Sequence, residues 1–145
     1  MVLFLAIMGC MNVRNAKICD VDAIHSLISC YAEQDRMLFR SHADIYENLQ
    51  IFKVAEAEKG QVVGCCALAV VWSDLAEVKS LAVDKGHFGK GAGKVLVNAC
   101  VEAARDLGVG KVFTLTLEPQ FFEKLGFVVV SKETFPMKVW SDCAR

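Results

Sequence analysis

Three glycines are interleaved with lysine and alanine in Gly89-Lys90-Gly91-Ala92-Gly93-Lys94, between a run that reads as a strand and one that reads as a helix. A helix start reached through such a turn offers unpaired N–H groups and the positive end of the helix dipole, which suits a phosphate or pyrophosphate. Glycine also lets a ligand approach the backbone closely. Two phosphate-binding patterns fail on spacing. Gly86 to Gly91 has the interval of a nucleoside-triphosphate loop, but Ala92-Gly93 follow where Lys-Ser/Thr is required. A dinucleotide fingerprint would need glycine at Lys94 or at Leu96. The competing reading is a flexible strand–helix turn that binds nothing.

Other residues are open to chemistry. Glu77 stands in the largely apolar strand candidate Leu75–Val83. Partial burial there would raise a carboxyl toward neutrality, as a general base requires. A sheet glutamate paired with Lys79 or with solvent is the alternative. Arg40 follows the apolar stretch Met37–Phe39 and suits either an anionic ligand or a solvated helix end. Thr116 closes a β-branched and aromatic run, where β-propensity alone would also place it. His25, His42 and His87 read as surface residues, and no histidine–cysteine spacing suits zinc, so no metal is expected. Cys65 and Cys66 lie in a strand with nothing nearby to lower a thiol pKa, which argues against an acyl carrier.

The elements that must position these groups follow from periodicity and turn signals. Asn12–Lys17 reads as a short strand leading to Asp20, an N-cap for a helix carrying Val21, Ile24, Ile28 and Tyr31 on one face. A short helix follows at Ala43–Asn48. Ile51–Ala57 and Gln61–Trp72 form a hairpin about Glu58-Lys59-Gly60, and Ala76–Val83 is a further strand. The helix after the glycine turn keeps Ala92, Leu96, Ala99, Ala103 and Leu107 on its apolar side and ends at Gly108 or Gly110. Lys111–Leu117 is then a strand parallel to Ala76–Val83, because a helix crosses between them. Pro119 opens a short helix, and Phe127–Ser131 with Phe135–Trp140 make a closing antiparallel pair. The fold class is α/β, with helices on both faces of a mixed sheet.

The chain has 145 residues, the size of one ordinary domain. Sixteen Lys and Arg against 17 Asp and Glu argue against a nucleic-acid surface. The 54% hydrophobic content is high, yet the longest apolar run, Met1–Met11, is far short of the roughly 20 residues of a spanning helix. Residues 1–11 read as an apolar extension, either an extra packed strand or an upstream-start artefact, ahead of a domain over 12–145. Seven cysteines, an odd number with Cys65 and Cys66 adjacent, suit no simple disulfide framework and point to a reduced, cytoplasmic protein. Cys30, Cys65, Cys66 and Cys100 read as small core hydrophobes.

Two segments carry a resemblance. Ser80-Leu81-Ala82-Val83-Asp84 followed by Gly89–Leu96 resembles the acetyl-CoA motif of the GNAT family of N-acetyltransferases, and Phe121–Phe127 is similar to its second landmark. The resemblance covers about Asn12 to Trp140 and implies a GNAT-like mixed, splayed sheet of about six to seven strands. It implies acetyl-CoA as co-substrate, held by Leu81, Ala82, Val83 and Phe122 along the arm and by Phe88, Gly89, Lys90, Gly91, Ala92, Gly93 and Lys94 at the pyrophosphate. Two departures stand out. Phe88 occupies a position where the family usually has Arg or Gln, and Phe122 stands where it often has a general-acid tyrosine. A phenyl ring has no proton to give, so Thr116 becomes the candidate donor to the departing thiolate, with Glu77 as the base.

A finer resemblance is to the single-domain amino-acid N-acetyltransferases, the N-acetylglutamate synthases of arginine biosynthesis. It rests on Leu38–Ser41, Leu75–Val83, Thr114–Thr116, Phe121-Phe122 and Pro136–Cys143. It implies glutamate as the acceptor, whose carboxylates require cationic partners. Arg40 is the first choice, then Lys79 and Lys138. A homodimer is a common state of such domains. The competing functions are acetylation of another amine (a peptide N-terminus, a lysine or a polyamine) and a non-catalytic acyl-CoA sensor.

Overall fold

Five strands lie side by side in chain order: β1 (Asn12–Asn15), β2 (Phe52–Glu56), β3 (Val62–Trp72), β4 (Leu75–Val83) and β5 (Lys111–Thr114). The first four are antiparallel, and β5 joins β4 in parallel after the crossover helix. The computed structural model describes residues 11–131. These belong to two compact units divided after Thr114. The expected hairpin is present, and its turn is made by Lys59 and Gly60, both left-handed at φ +65° and +75°.

Helices cover the two faces of the sheet. Residues directly opposite in a ladder share a face, so Cys65, Ala67 and Ala82 lie together. With Phe52 and Val54 they pack against Val21, Ile24 and Ile28 of α1 (Val21–Ala32) and Ile45 of α2 (His42–Glu47). The opposite face carries α3 (Ala92–Asp106), where Cys66 meets Cys100. Close approach there depends on Gly64, since a Cβ at that position would sit 2.9 Å from Leu96 Cδ1.

Three expectations are corrected. Asp20 sits at the N-cap of α1 but makes no side-chain cap bond. Its carboxylate is taken by the Arg14 guanidinium fork at 2.7 and 2.9 Å and by the Lys17 N–H at 2.7 Å. Arg14 also pairs with Glu56, and its hydrogen bond holds the buried Asp20 carboxyl below the usual range. The buried stripe of α3 runs through Ala92, Leu96, Val97, Cys100 and Ala104, leaving Leu107 exposed. At about 100° per residue Ala99 and Ala103 fall to one side of that stripe and are only half-buried, while Leu107 is the C-cap residue, past the last helical position. Cys30 is exposed, unlike Cys65, Cys66 and Cys100.

The sheet also has five strands among the described residues rather than six or seven. Phe127–Ser131 forms no strand there, and Val128 and Val129 stand exposed. The partner expected for it, Phe135–Trp140, lies outside the described residues. In the second unit a short helix, α4 (Pro119–Glu123), starts on its proline and ends near Gly126 at φ +96°. No helix among the described residues is long and apolar enough to cross a membrane.

Candidate active site

The site begins where a ladder stops. Pairing of β4 with β5 runs from Leu75↔Lys111 to Val78↔Thr114, whereas β4 continues to Val83. The Thr114 hydroxyl donates to the Val78 carbonyl at 2.8 Å, which closes the ladder with a side chain. The expected strand over 111–117 therefore ends at Thr114. Beyond that point β4 keeps its pairing with β3 and has no β5 partner on its other edge.

That second half of β4 is also irregular. Ala82 lies opposite Cys65 and Lys79 opposite Ala67, so Ser80 and Leu81 together face Cys66 in a β-bulge. Ser80 adopts φ +55°, a left-handed conformation costing a non-glycine residue about 1–3 kcal/mol. Arg40 holds it, donating from Nε to Ser80 Oγ at 2.8 Å while Nη1 reaches Asp44 Oδ2 at 2.9 Å. The Cys65 thiol donates to the Ser80 carbonyl at 3.5 Å.

The register places two further residues. Glu77, half-buried, lies opposite Ala69 and Phe113, one rung before the ladder with β5 ends. Lys79 lies two residues on, opposite Ala67, so both side chains leave β4 on the face that carries α1 and α2. Arg40, between those helices, has only 16% of its side chain exposed. Glu77, Lys79 and Arg40 thus share one face of the sheet.

The glycine turn follows β4 through a single helical turn at Lys85–His87, pinned by a 2.8 Å contact from His87 Nδ1 to Asp84. Gly89 and Gly91 are left-handed at φ +78° and +84°, which explains why glycine stands at both. Gly91 is the N-cap of α3, and no side chain caps the helix. The N–H groups of its first turn are directed at the loop, with no acidic residue in that turn to oppose an anion. Lys90 and Lys94 are exposed, Phe88 is 57% exposed, and the Ala92 side chain is buried, so only its backbone can serve a ligand.

In the second unit Thr116 is exposed, beyond the end of β5, and its Oγ1 accepts the Glu118 N–H at 2.8 Å. That bond does not use the hydroxyl proton. Phe122 is buried, edge-to-face with Phe121 and Phe127 at 5.0 and 5.3 Å. Lys138 lies outside the described residues. The buried thiols suit no acyl transfer: burial pushes Cys65 up to about 12, and Cys66 is raised by its hydrogen bond with Cys100 and by burial. Among the described residues no cluster of three or more His, Cys, Asp or Glu could hold a metal.

Comparison with known proteins agrees with this arrangement. The family model described as an acetyltransferase (GNAT) domain matches residues 47–129, more than half of the chain. The chain belongs to the GNAT acetyltransferases. An uncharacterized N-acetyltransferase of Chlorobaculum tepidum is 44% identical over 92% of this chain and 85% of its own length. An amino-acid acetyltransferase of Mycobacterium tuberculosis is 39% identical over 92% of this chain and 77% of its own. Among solved structures, a Mycobacterium tuberculosis protein in complex with CoA and NLQ superposes with a TM-score of 0.83 at 39% identity, covering 92% of this chain and 82% of that one. N-acetylglutamate synthase from Neisseria gonorrhoeae, complexed with coenzyme A and N-acetyl-glutamate, gives 0.87 at 27% identity over 92% of this chain. This chain spans only 32% of that one.

As a GNAT enzyme the chain uses acetyl-CoA as co-substrate. The residues present fit it: an open left-handed glycine turn at a helix start, and a strand edge that β5 leaves unpaired. The sequence missed Ser80 and Tyr31. Tyr31 donates to the Val83 carbonyl at 2.5 Å, but in the sequence it is only one more residue of an apolar helical face. A left-handed serine has no sequence signal either.

Proposed function

We propose that this GNAT enzyme acetylates the α-amine of an amino acid, with L-glutamate as the acceptor, in arginine biosynthesis. The observation that carries the reading is the shared face of Glu77, Lys79 and Arg40 beside the open half of β4. An acceptor with one amine and two carboxylates matches one carboxylate and two cations. The names of the Mycobacterium and Neisseria relatives support the same class.

In this reading, acetyl-CoA supplies an acetyl thioester. The backbone of Leu81, Ala82 and Val83 aligns the pantetheine arm. The N–H groups from Phe88 to Lys94, with the Lys90 and Lys94 charges, hold the pyrophosphate. Arg40 and Lys79 orient the acceptor, assisted by Lys138. Glu77 removes the ammonium proton, directly or through water, because only the neutral amine has a lone pair to attack with. The Thr116 hydroxyl donates a hydrogen bond to the departing thiolate or relays a proton to it from solvent. The domain works as a cytoplasmic homodimer.

The test is release of CoA thiol across a panel of amines. Glutamate is expected to give the highest kcat/KM, with aspartate and glutamine below it. A peptide N-terminus or a polyamine outrunning every amino acid would overturn the assignment.

A further inference from the structure

Along an antiparallel ladder, residues alternate between exchanging both backbone bonds with the partner strand and turning both away. Asp84 donates its N–H to the Val63 carbonyl at 2.8 Å and is of the first kind. Ala82, two residues earlier and opposite Cys65, is also of that kind. Val83, between them and opposite Gly64, is of the second kind. Its N–H and its C=O both point to the outer edge of β4, where β5 no longer pairs. The planar peptide gives the same result, since the Val83 carbonyl must point opposite to the Asp84 N–H. Tyr31, in the last turn of α1, donates to that carbonyl. Burial raises the phenol above its ordinary value and keeps it a donor.

We propose that Tyr31 is a positioning residue that sets the register of the pantetheine arm by removing the Val83 carbonyl from the edge. The inference rests on the reading that this arm adds along β4. The arm carries two amides, and amides pair with a strand edge as another strand would. A strand edge repeats every two residues, so an arm can bind in registers about 7 Å apart. With Val83 O occupied, the outer edge offers the Val83 N–H as donor and the Leu81 carbonyl as acceptor. If Val83 O were open, the arm could shift toward the end of β4, drawing the thioester away from Glu77. Such a complex would bind without reacting. Tyr31 therefore acts through Val83 and need not touch the arm.

The experiment uses the intact protein labelled with 15N and carbonyl-13C valine, titrated with CoA, and Tyr31→Phe assayed with acetyl-CoA. In the native protein the Val83 amide is expected to shift and become protected from exchange, while the Val83 carbonyl stays where Tyr31 holds it. In Tyr31→Phe the carbonyl should respond as well. Kinetically, kcat and the KM for acetyl-CoA should fall by the same several-fold factor with kcat/KM held, as nonproductive binding requires, and with the KM for the amine unchanged. A native Val83 carbonyl that shifts with its amide overturns the proposal while leaving the β4 reading intact. A Val83 amide that ignores CoA overturns both. A folded Tyr31→Phe whose KM for acetyl-CoA rises, or whose kcat and KM are unchanged, also overturns it. The labelled native protein decides the question even if the variant does not fold.

Discussion

The two halves of β4 have the same neighbour on one side and opposite fates on the other. Leu75–Val78 is paired on both edges, with one register shift where β3 slips by a residue between Val70 and Trp72, and its Leu75, Ala76 and Val78 side chains are buried. Lys79–Val83 is paired on one edge, bulged, and held from outside the sheet by Arg40 at Ser80 and Tyr31 at Val83. In the first half the backbone bonds go to stability. In the second, backbone groups are withheld from the sheet, and side chains from the α1–α2 region fix their direction. The site lies where the fold stops using its own hydrogen bonds.

Changes in the two halves should therefore separate function from stability. The largest effect is expected at their junction: Glu77→Gln should lower kcat by about 10²–10⁴-fold with little change in thermal unfolding. Unchanged turnover in that variant would remove Glu77 as the base. In the paired half, Val78→Ala empties a site 1% exposed, so about 1–3 kcal/mol of stability should be lost by urea unfolding, with kcat/KM close to native. Ser80→Gly should do the reverse. Relief of the left-handed serine offsets the lost Arg40 contact, leaving stability within about 1 kcal/mol of native, while the KM for acetyl-CoA rises as the bulge loosens. If Ser80→Gly destabilised the protein more than Val78→Ala, the comparison would fail.

The last effect shows only at alkaline pH. The Cys65 thiol, behind the bulge, is raised by burial to about 12, so the folded state holds its proton more tightly than the unfolded chain does. Its contribution is fully present below the ordinary thiol range and is lost as pH rises from about 9 to 12. Cys65→Ala should flatten the alkaline limb of the unfolding curve slightly.

How much of this the sequence disclosed depended on whether a residue type encodes its own geometry. Gly89 and Gly91 were legible because a left-handed turn at a helix start selects glycine. The mixed sheet was legible because a helix between two strands dictates a parallel pair. Ser80 takes the same left-handed form with no such mark, since the bulge arises from the pairing of β3 and β4. The end of β5 depends on one hydroxyl, that of Thr114, finding the Val78 carbonyl. Asp20 looked like a cap, but a guanidinium on a neighbouring strand claimed it first. The Ser80 bulge and the end of β5 are set by partners distant in sequence, and the Arg14 that takes Asp20, only six residues away, stands on a different element; local pattern reaches none of them.

The cysteines give the molecule a way to report its own opening. Cys19 and Cys30 are exposed, whereas Cys65 lies under α1 and α2, and Cys66 and Cys100 lie between β3 and α3. A coloured thiol reagent would therefore mark time in steps. Among the described cysteines, the outer pair would react at once, Cys65 when the two helices lift, and the Cys66–Cys100 pair when α3 leaves the sheet. The order of those steps, followed with and without coenzyme, would show which wall of the site breathes first.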